Sequence, residues 1–283
     1  MQIDSHQHFW RYDAVRDAWL NESMAVLKRD FLPEHLAVEL AANGIDSSIA
    51  VQADQSENET MFLLDLAEKS KRIAGVVGWV DLLSPHVPEN LEYFSHFSKL
   101  CGFRHIAQAE PDDRFLARET FVKGVAQLQA FGFTYDILVY SKQLPAAIEL
   151  VARLPEQRFV VDHLAKPEIK FGKTAPWAAQ MREIAQNKNV FCKLSGLVTE
   201  GDWKHWKADD FKPCLDVVFD AFGVERLMFG SDWPVCLVAG TYRQVKQLIE
   251  DYVKGYSQPD KERIFGGNAA RFYGLKAQHG LAA

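Results

Sequence analysis

The feature of this sequence that most restricts its fold is a repeated change of hydrophobic period. Short apolar runs typical of β-strands alternate with longer amphipathic stretches typical of α-helices. The predicted strands cover residues 2–8, 46–52, 74–80, 102–108, 134–139, 158–163, 190–195 and 226–231. The predicted helices cover residues 33–43, 57–71, 88–100, 113–131, 142–153, 177–187 and 207–222, followed by 241–254 and 260–273. Eight strands, each followed by helix, predict an α/β protein with a (β/α)8 TIM barrel, because open doubly wound sheets usually stop at about six strands.

The chain has 283 residues, close to the roughly 250 of a typical barrel, so we expect one domain over residues 1–283. Two connections, at about residues 10–30 and 199–210, are longer than ordinary loops. Active sites of such barrels lie at the carboxyl ends of the strands, where these loops begin. We therefore interpret both as active-site loops.

Composition and charge exclude several classes of function. The formal net charge of −6 argues against nucleic-acid and anionic-membrane partners, and no apolar run reaches the length of a membrane span. The four cysteines lie far apart without a CxxC pair, so neither a disulfide framework nor a thiolate zinc site is expected. The first residues lead directly into a predicted strand, which leaves no room for a signal peptide and predicts a cytoplasmic protein.

A pair of histidines lies on the first predicted strand. His6 and His8 are two residues apart, so both side chains face the same side of the strand, which in a barrel can be the interior. Two convergent imidazoles suit a divalent metal or a pair of hydrogen-bond donors. Two unrelated surface histidines would give the same pattern, and the pair alone does not decide between these interpretations.

Three further polar residues follow predicted strands at the same end of the barrel. His163 ends the sixth strand, Asp232 follows the eighth, and Glu110 follows the fourth. Each has an ordinary explanation when taken alone: a structural histidine, a helix N-cap or turn, and a solvated loop carboxylate. Together with His6 and His8, however, they would converge on one barrel mouth.

Four motifs carry a resemblance to a known family. They are DSHQHFW at residues 4–10, VDHLAKP at 161–167, CKLSGL at 192–197 and GSDWP at 230–234. This set resembles the amidohydrolase superfamily, and within it the amidohydrolase-related sugar lactonases, closest to the L-fuconolactonases and L-rhamnonolactonases. The similarity extends along almost the whole chain, to NAARFY at 268–273.

The resemblance implies a hydrolase that opens a sugar-acid lactone to the aldonic acid. The expected substrates are L-fucono-1,5-lactone and related L-galactono or L-rhamnono lactones. Such a reaction needs a group that takes a proton from water and returns it to the leaving oxygen, and we assign that role to Asp232. His163, with His6 and His8, is assigned to polarising the lactone carbonyl.

The resemblance also implies a candidate metal site. The available ligands are His6, His8, Glu110, His163 and Asp232, and they predict at most one divalent ion such as zinc. The carboxylatable lysine of binuclear amidohydrolases has no counterpart at the end of strand four, where His105 and Gln108 lie. Because lactones are more reactive than amides, catalysis without any metal stays open.

Substrate recognition is expected from aromatic and long polar side chains near strand ends. A sugar ring packs its C–H faces on indole, while its hydroxyls need polar partners. The candidate substrate-binding residues are Trp10, Gln52, Trp79, Arg104, His105, Gln108 and Lys166. The expected partners are therefore a small sugar lactone and water.

Other functions remain to be compared with lactone hydrolysis. One is an amidohydrolase-type hydrolase or decarboxylase acting on an aromatic or dicarboxylate ring, such as a pyrone or muconolactone, and another is a sugar-acid binding barrel without activity. A serine-hydrolase interpretation of Ser195 or Ser231 is disfavoured, because neither lies in a GxSxG elbow. The sequence leaves open the exact sugar, its ring size and whether the chain forms a homo-oligomer.

Overall fold

The computed structural model describes residues 1–172 and 174–275. Eight parallel strands form one sheet in the order of the sequence. They are β1 (Ile3–Gln7), β2 (Ser47–Val51), β3 (Ile73–Gly78), β4 (Leu100–His105), β5 (Thr134–Ile137), β6 (Phe159–Val161), β7 (Val190–Leu194) and β8 (Leu227–Phe229).

Helices connect the strands and cover the outside of the sheet. The first six are α1 (Pro33–Ala42), α2 (Glu57–Lys69), α3 (Val87–Ser95), α4 (Glu119–Gln127), α5 (Leu144–Arg153) and α6 (Ala175–Ile184). The others are α7 (Leu197–Glu200), α8 (Ala208–Phe222), α9 (Tyr242–Tyr252), α10 (Gln258–Glu262) and α11 (Asn268–Tyr273). None of these helices is both long and apolar enough to cross a membrane.

The sheet curls until its first and last strands meet, which confirms the predicted barrel. Beyond the ends of β1 and β8, the backbone N–H of His8 donates to the carbonyl of Trp233 (2.7 Å). The N–H of Asp232 likewise donates to the carbonyl of His6 (2.9 Å). These two bonds lie where the first and last strands meet. They therefore bring His6 and His8 close to Asp232.

Two predicted helices differ from the observed ones. The helix predicted over 113–131 is α-helical only in α4, with 3-10 turns on either side. The helix predicted over 260–273 is interrupted between α10 and α11 by a π-helical turn, Arg263–Gly267. A Cβ on Gly266 in this turn would lie 2.3 Å from the backbone oxygen of Met1, so the close approach of the first residues excludes a side chain there.

The barrel interior is apolar at its lower end and polar above. A small cluster that includes Ile3, Ile49, Val77 and Met228 fills the lower end, and Phe272 and Tyr273 of α11 close it. The larger core lies between the sheet and the surrounding helices. The polar interior residues at the carboxyl ends of the strands therefore pack above this apolar cluster.

Candidate active site

A fully buried ionic network forms the floor of the polar layer. The Lys193 ammonium lies 2.5 Å from an Asp136 oxygen and 2.9 Å from Oδ1 of Asp162. The other Asp162 oxygen accepts a hydrogen bond from Arg104 (3.0 Å). Two cations thus neutralise two carboxylates, which makes their burial tolerable.

His6 and His8 lie directly above this network. Nδ1 of His6 is 3.0 Å from the Lys193 ammonium and 3.4 Å from Asp162 Oδ1, and Nε2 of His6 is 3.2 Å from Nε2 of His8. Nδ1 of His8 lies 2.7 Å from the carbonyl oxygen of Val51. Because a carbonyl only accepts, Nδ1 of His8 carries the hydrogen and Nε2 presents its lone pair in the neutral ring.

His163 reaches the same cluster from the end of β6. Its Nδ1 lies 2.8 Å from the Ser195 hydroxyl, and its Nε2 is 3.8 Å from Oδ1 of Asp232. A Cβ on Gly196 would lie 2.6 Å from the His163 ring, so only glycine lets the end of β7 approach this closely. Ser195 and Gly196 together fix the plane of the imidazole.

Asp232 occupies the centre of the histidine cluster. Its Oδ1 lies 3.5 Å from Nε2 of His8 and 3.9 Å from Nε2 of His6. The preceding residue, Ser231, is held by buried Asp4, whose carboxylate accepts from the Ser231 N–H (2.8 Å) and hydroxyl (2.6 Å). The Asp4 carboxylate therefore connects β1 to the loop that carries Asp232.

The protonation states follow from burial and neighbouring charges. Burial would raise the pKa of Asp232, but His163 and the His8 contact outweigh it and hold that pKa below its ordinary value. Burial lowers the pKa of His163 to about 4. Burial, with the Lys193 charge, lowers the pKa of His6 well below its usual range. Near pH 7 the cluster thus pairs an ionised carboxylate with neutral rings of His6 and His163.

A cavity of about 430 Å³ opens above this cluster. Its volume falls within the usual range for small-molecule sites. Its wall is largely apolar, with a few polar groups at the floor and mouth. The lining residues are His8, Trp10, Trp19, Ala53, Arg104, Ile106, Gln108, Ala109, Leu138, Tyr140, His163, Lys166, Asp232 and Val235.

Comparison with known protein families identifies the family of this chain. The family model described as amidohydrolase matches residues 3–275, nearly the whole sequence. The chain belongs to the amidohydrolase family. The resemblance predicted from the four sequence motifs is confirmed, as is the prediction of a hydrolytic enzyme.

Individual relatives of this amidohydrolase cover it from end to end. It is 46% identical to an L-fucono-1,5-lactonase of Burkholderia multivorans, over 97% of this chain and 96% of that protein. It is 35% identical to an L-fucono-1,5-lactonase of Burkholderia ambifaria, over 99% and 97% respectively. A crystal structure of a Burkholderia multivorans amidohydrolase with bound zinc is 45% identical, covers 98% of this chain and 100% of that one, and superposes with a TM-score of 0.94.

The site of this amidohydrolase has a donor set that fits one zinc ion. The metal-ligating atoms of His6, His8 and Asp232 all lie within 4.8 Å of one another. Ligand atoms around a tetrahedral zinc would be about 3.4 Å apart, close to the separations observed. Nε2 of His8 also faces the Asp232 carboxylate, and in the neutral ring it offers a lone pair that can ligate a cation held between the two. The Arg104 guanidinium lies 3.3 Å from Nε2 of His6, and its positive charge disfavours a second metal ion beside the first.

Several predicted site residues lie away from this cluster. Glu110, predicted as a metal ligand, belongs to neither of the candidate metal groups found among the described residues. Its carboxylate instead lies 2.7 Å from Nε2 of His105, whose ring stacks on Phe115 outside the barrel interior. Trp79 contacts His105 (3.4 Å) rather than the cavity. Gln52 lies below the cavity, where its side chain donates to the Arg104 carbonyl (3.0 Å).

The structure also gives a place in the site to residues to which the sequence interpretation assigned no role. Trp19 and Tyr140 line the cavity, and Asp162 and Lys193 support His6 from below. The alternation of side chains along a strand could have indicated Lys193, since it lies two residues before Ser195. Nothing in the local pattern marks Trp19, because its place depends on the path of the loop over residues 10–30.

The second long loop lies beside the cavity rather than over it. Residues of the loop at 199–210 line a separate cavity of about 630 Å³, together with Lys170 and Phe171. The two cavities are linked by the Lys166 ammonium and the Glu200 carboxylate, which are 3.9 Å apart.

Proposed function

We propose that this amidohydrolase hydrolyses L-fucono-1,5-lactone, or a closely related L-galactono or L-rhamnono lactone, to the corresponding aldonic acid. The observation that carries the proposal is the match of almost full length with two L-fucono-1,5-lactonases. The geometry supports it, because an ionised carboxylate and the imidazoles of His8 and His163 lie at the floor of a cavity of suitable size for a sugar ring.

Asp232 is the general base and acid in this proposal. The low pKa of its carboxyl keeps the group ionised near neutral pH, so it can take a proton from a water molecule that attacks the lactone carbonyl. The bond between the carbonyl carbon and the ring oxygen then breaks. Asp232 returns its proton to that oxygen, which becomes a hydroxyl group of the product.

His163 stabilises the charge that develops on the carbonyl oxygen. When the Ser195 hydroxyl donates to Nδ1 of His163, the neutral ring carries its hydrogen on Nε2 and directs it into the cavity. A donor held in place before the reaction costs no reorganisation during it. Ser195 therefore acts through His163 and not as a nucleophile.

His6, His8 and Asp232 would hold a divalent metal ion if one is bound. Such an ion would supply Lewis-acid polarisation of the carbonyl or of water. Without it, Asp232 keeps its negative charge beside the imidazoles of His6 and His8, above the Lys193 network.

Trp10, Gln108 and Lys166 are the proposed substrate contacts. The indole N–H of Trp10 donates to the Arg29 carbonyl (3.0 Å). This bond fixes the orientation of the ring in the cavity wall, where a sugar ring can pack on it. Oε1 of Gln108 is buried and makes no hydrogen bond within residues 1–172 and 174–275, so it can accept from a sugar hydroxyl.

The charges of the cavity disfavour a dicarboxylate substrate. Arg104 is already paired with Asp162, and Lys166 lies near Glu200. No other lysine or arginine lines the cavity in the part of the chain that the structure describes. A neutral polyol lactone would bury less uncompensated charge than a pyrone or benzoate carrying carboxylates.

A substrate screen tests the proposed function. Purified protein is mixed with aldono-1,4- and 1,5-lactones, and acid release is followed by direct observation of substrate and product by NMR. We expect rapid opening of L-fucono-1,5-lactone and slower opening of the L-galactono or L-rhamnono compounds. A matched series with a chelator, and after zinc is added back, measures the metal requirement separately.

Turnover of a pyrone dicarboxylate without turnover of any sugar lactone would contradict the proposal. Inactivity towards all of these compounds, together with tight binding of an aldonic acid, would instead indicate a sugar-acid binding barrel. A cytoplasmic location and the lack of nucleic-acid and membrane partners stay predictions from the sequence.

A further inference from the structure

Four successive residues after β6 adopt a left-handed backbone. His163, Leu164, Ala165 and Lys166 have φ values of 53°, 53°, 55° and 49°, and none is glycine. A Cβ makes this conformation unfavourable, and residues other than glycine normally adopt it singly. A run of four persists only where the surroundings impose it.

The two ends of this left-handed turn, residues 163–166, face the catalytic cavity. His163 at one end lies 3.8 Å from the Asp232 carboxylate. Lys166 at the other end lines the same cavity, and its ammonium lies 5.3 Å from the centre of the Tyr140 ring. The turn thus presents an imidazole and an ammonium to one cavity at a fixed separation.

Two side chains from outside the cavity hold the turn in place. The indole N–H of Trp177, in the first turn of α6, donates to the Leu164 carbonyl (2.6 Å). The Ser141 hydroxyl, in the segment after β5, donates to the Lys166 carbonyl (2.8 Å). Neither Trp177 nor Ser141 lines the catalytic cavity.

We propose that Trp177 and Ser141 are positioning residues for the hydrolytic reaction. Their hydrogen bonds fix the carbonyls of the left-handed turn and prevent its relaxation towards a right-handed backbone. Such relaxation would turn His163 away from Asp232 and Lys166 away from the substrate. This inference rests on the proposed lactonase function, since it assigns a role in that reaction.

The position of Trp177 requires a test that separates positioning from packing. Trp177 is 1% exposed, so its replacement also disturbs the core. Ser141 is only half-buried, and removal of its hydroxyl changes little besides the bond to the turn. The two substitutions therefore remove the same kind of contact with different costs in stability.

The experiment compares kcat, KM and the thermal midpoint for L-fucono-1,5-lactone in five proteins. These are the wild type, Trp177→Phe, Ser141→Ala, Ser141→Thr and the control Gln157→Leu. Gln157 lies just before β6 at the opposite end of the strand, and its buried amide donates to the Phe133 carbonyl (2.9 Å). The control thus also removes a buried bond from a side chain to a carbonyl, but far from the turn.

We expect Trp177→Phe to lower kcat by at least about tenfold and Ser141→Ala by about threefold or more, with smaller changes in KM, because misplacing a catalytic group slows the reaction itself. Ser141→Thr keeps the hydroxyl and should retain the wild-type kcat. Gln157→Leu should lower the thermal midpoint and leave kcat unchanged.

If folded Trp177→Phe and Ser141→Ala both retain the wild-type kcat, the inference is overturned. A loss of kcat in Gln157→Leu equal to the loss in those two variants would overturn it as well. If Trp177→Phe does not fold, the pair of Ser141 variants decides, with equal kcat values contradicting the proposal. An inactive wild type would contradict the proposed function instead, so the two failures are distinguishable.

Discussion

At the scale of single residues, the proposed reaction depends on which ring nitrogens of the histidine cluster carry hydrogen. The Val51 carbonyl holds a hydrogen on Nδ1 of His8, so Nε2 is the nitrogen that faces Asp232. The Ser195 hydroxyl contacts His163 on the side away from Asp232. His8 and His163 thus each have one nitrogen engaged by the protein and one that faces Asp232.

The pKa values predict how activity depends on pH. In the proposed mechanism Asp232 acts as a base only when ionised, so we expect activity above its pKa and loss of activity below it. Since that pKa is lowered and the pKa of His163 falls to about 4, both groups keep their working forms above about pH 5. We expect a constant kcat/KM for L-fucono-1,5-lactone between about pH 5 and pH 8, measured by NMR and corrected for spontaneous hydrolysis.

Asp216→Asn is the control for this profile. Its carboxylate lies on the outer face of α8, paired with Lys212, and its removal should leave the pH dependence unchanged. An acid limb with an apparent pKa between about 6 and 7 in the wild type would contradict the assignment of Asp232 as an ionised base.

Side-chain alternation explains which residues of the site could be predicted from the sequence. His6 and His8 share one side of β1, as their spacing predicts, and both reach the cluster. The same rule separates the neighbours Arg104 and His105 at the end of β4, where Arg104 faces inward and His105 stacks on Phe115. His105 was predicted as a substrate contact, but its side chain does not line the cavity.

At the scale of elements, the end of β6 breaks the alternation. Asp162 faces the barrel interior, so its neighbour His163 would face outward if the strand continued. The left-handed backbone that begins at His163 returns its ring to the cavity. The motif at 161–167 marks the segment, but the sequence pattern alone does not predict four left-handed residues without glycine.

Replacement of Ala165 tests the strain in this element. Ala165 is fully buried with φ 55°, and a left-handed backbone costs a residue with a Cβ roughly 1–2 kcal/mol. Glycine relieves that cost but loses about 0.5–1 kcal/mol through its greater freedom in the unfolded chain. We therefore expect Ala165→Gly to leave the free energy of unfolding unchanged or raise it by about 1 kcal/mol, as measured by denaturant titration.

Ala147→Gly provides the matched comparison. Ala147 is also fully buried but lies within α5, where glycine should lower the free energy of unfolding by about 1 kcal/mol. The two substitutions change the unfolded chain equally, so their difference reports the folded backbone. Equal losses in both variants would mean that the turn at 163–166 carries no strain.

At the scale of the whole molecule, the alternation of strands and helices was enough to predict the barrel. It also predicted the end at which the site lies, because parallel strands bring their carboxyl ends together. The sequence could not predict the course of the long loops. One places Trp10 and Trp19 in the cavity wall, whereas the other lines a neighbouring cavity.

The barrel closure also explains why residues far apart in sequence form one centre. The bonds between the ends of β1 and β8 place Asp232 beside His6 and His8, and the Asp4 carboxylate reinforces this junction. His163 joins from β6 across the barrel mouth. We propose that these four side chains act together in lactone hydrolysis, with Asp232 moving the proton.

The most direct test is a comparison of kcat for L-fucono-1,5-lactone between the wild type and Asp232→Asn. The amide preserves the size of the side chain but cannot take a proton from water, so kcat should fall by more than about a hundredfold. Circular dichroism verifies that the variant keeps the barrel. A folded Asp232→Asn variant that opens the lactone at nearly the wild-type rate would contradict the account.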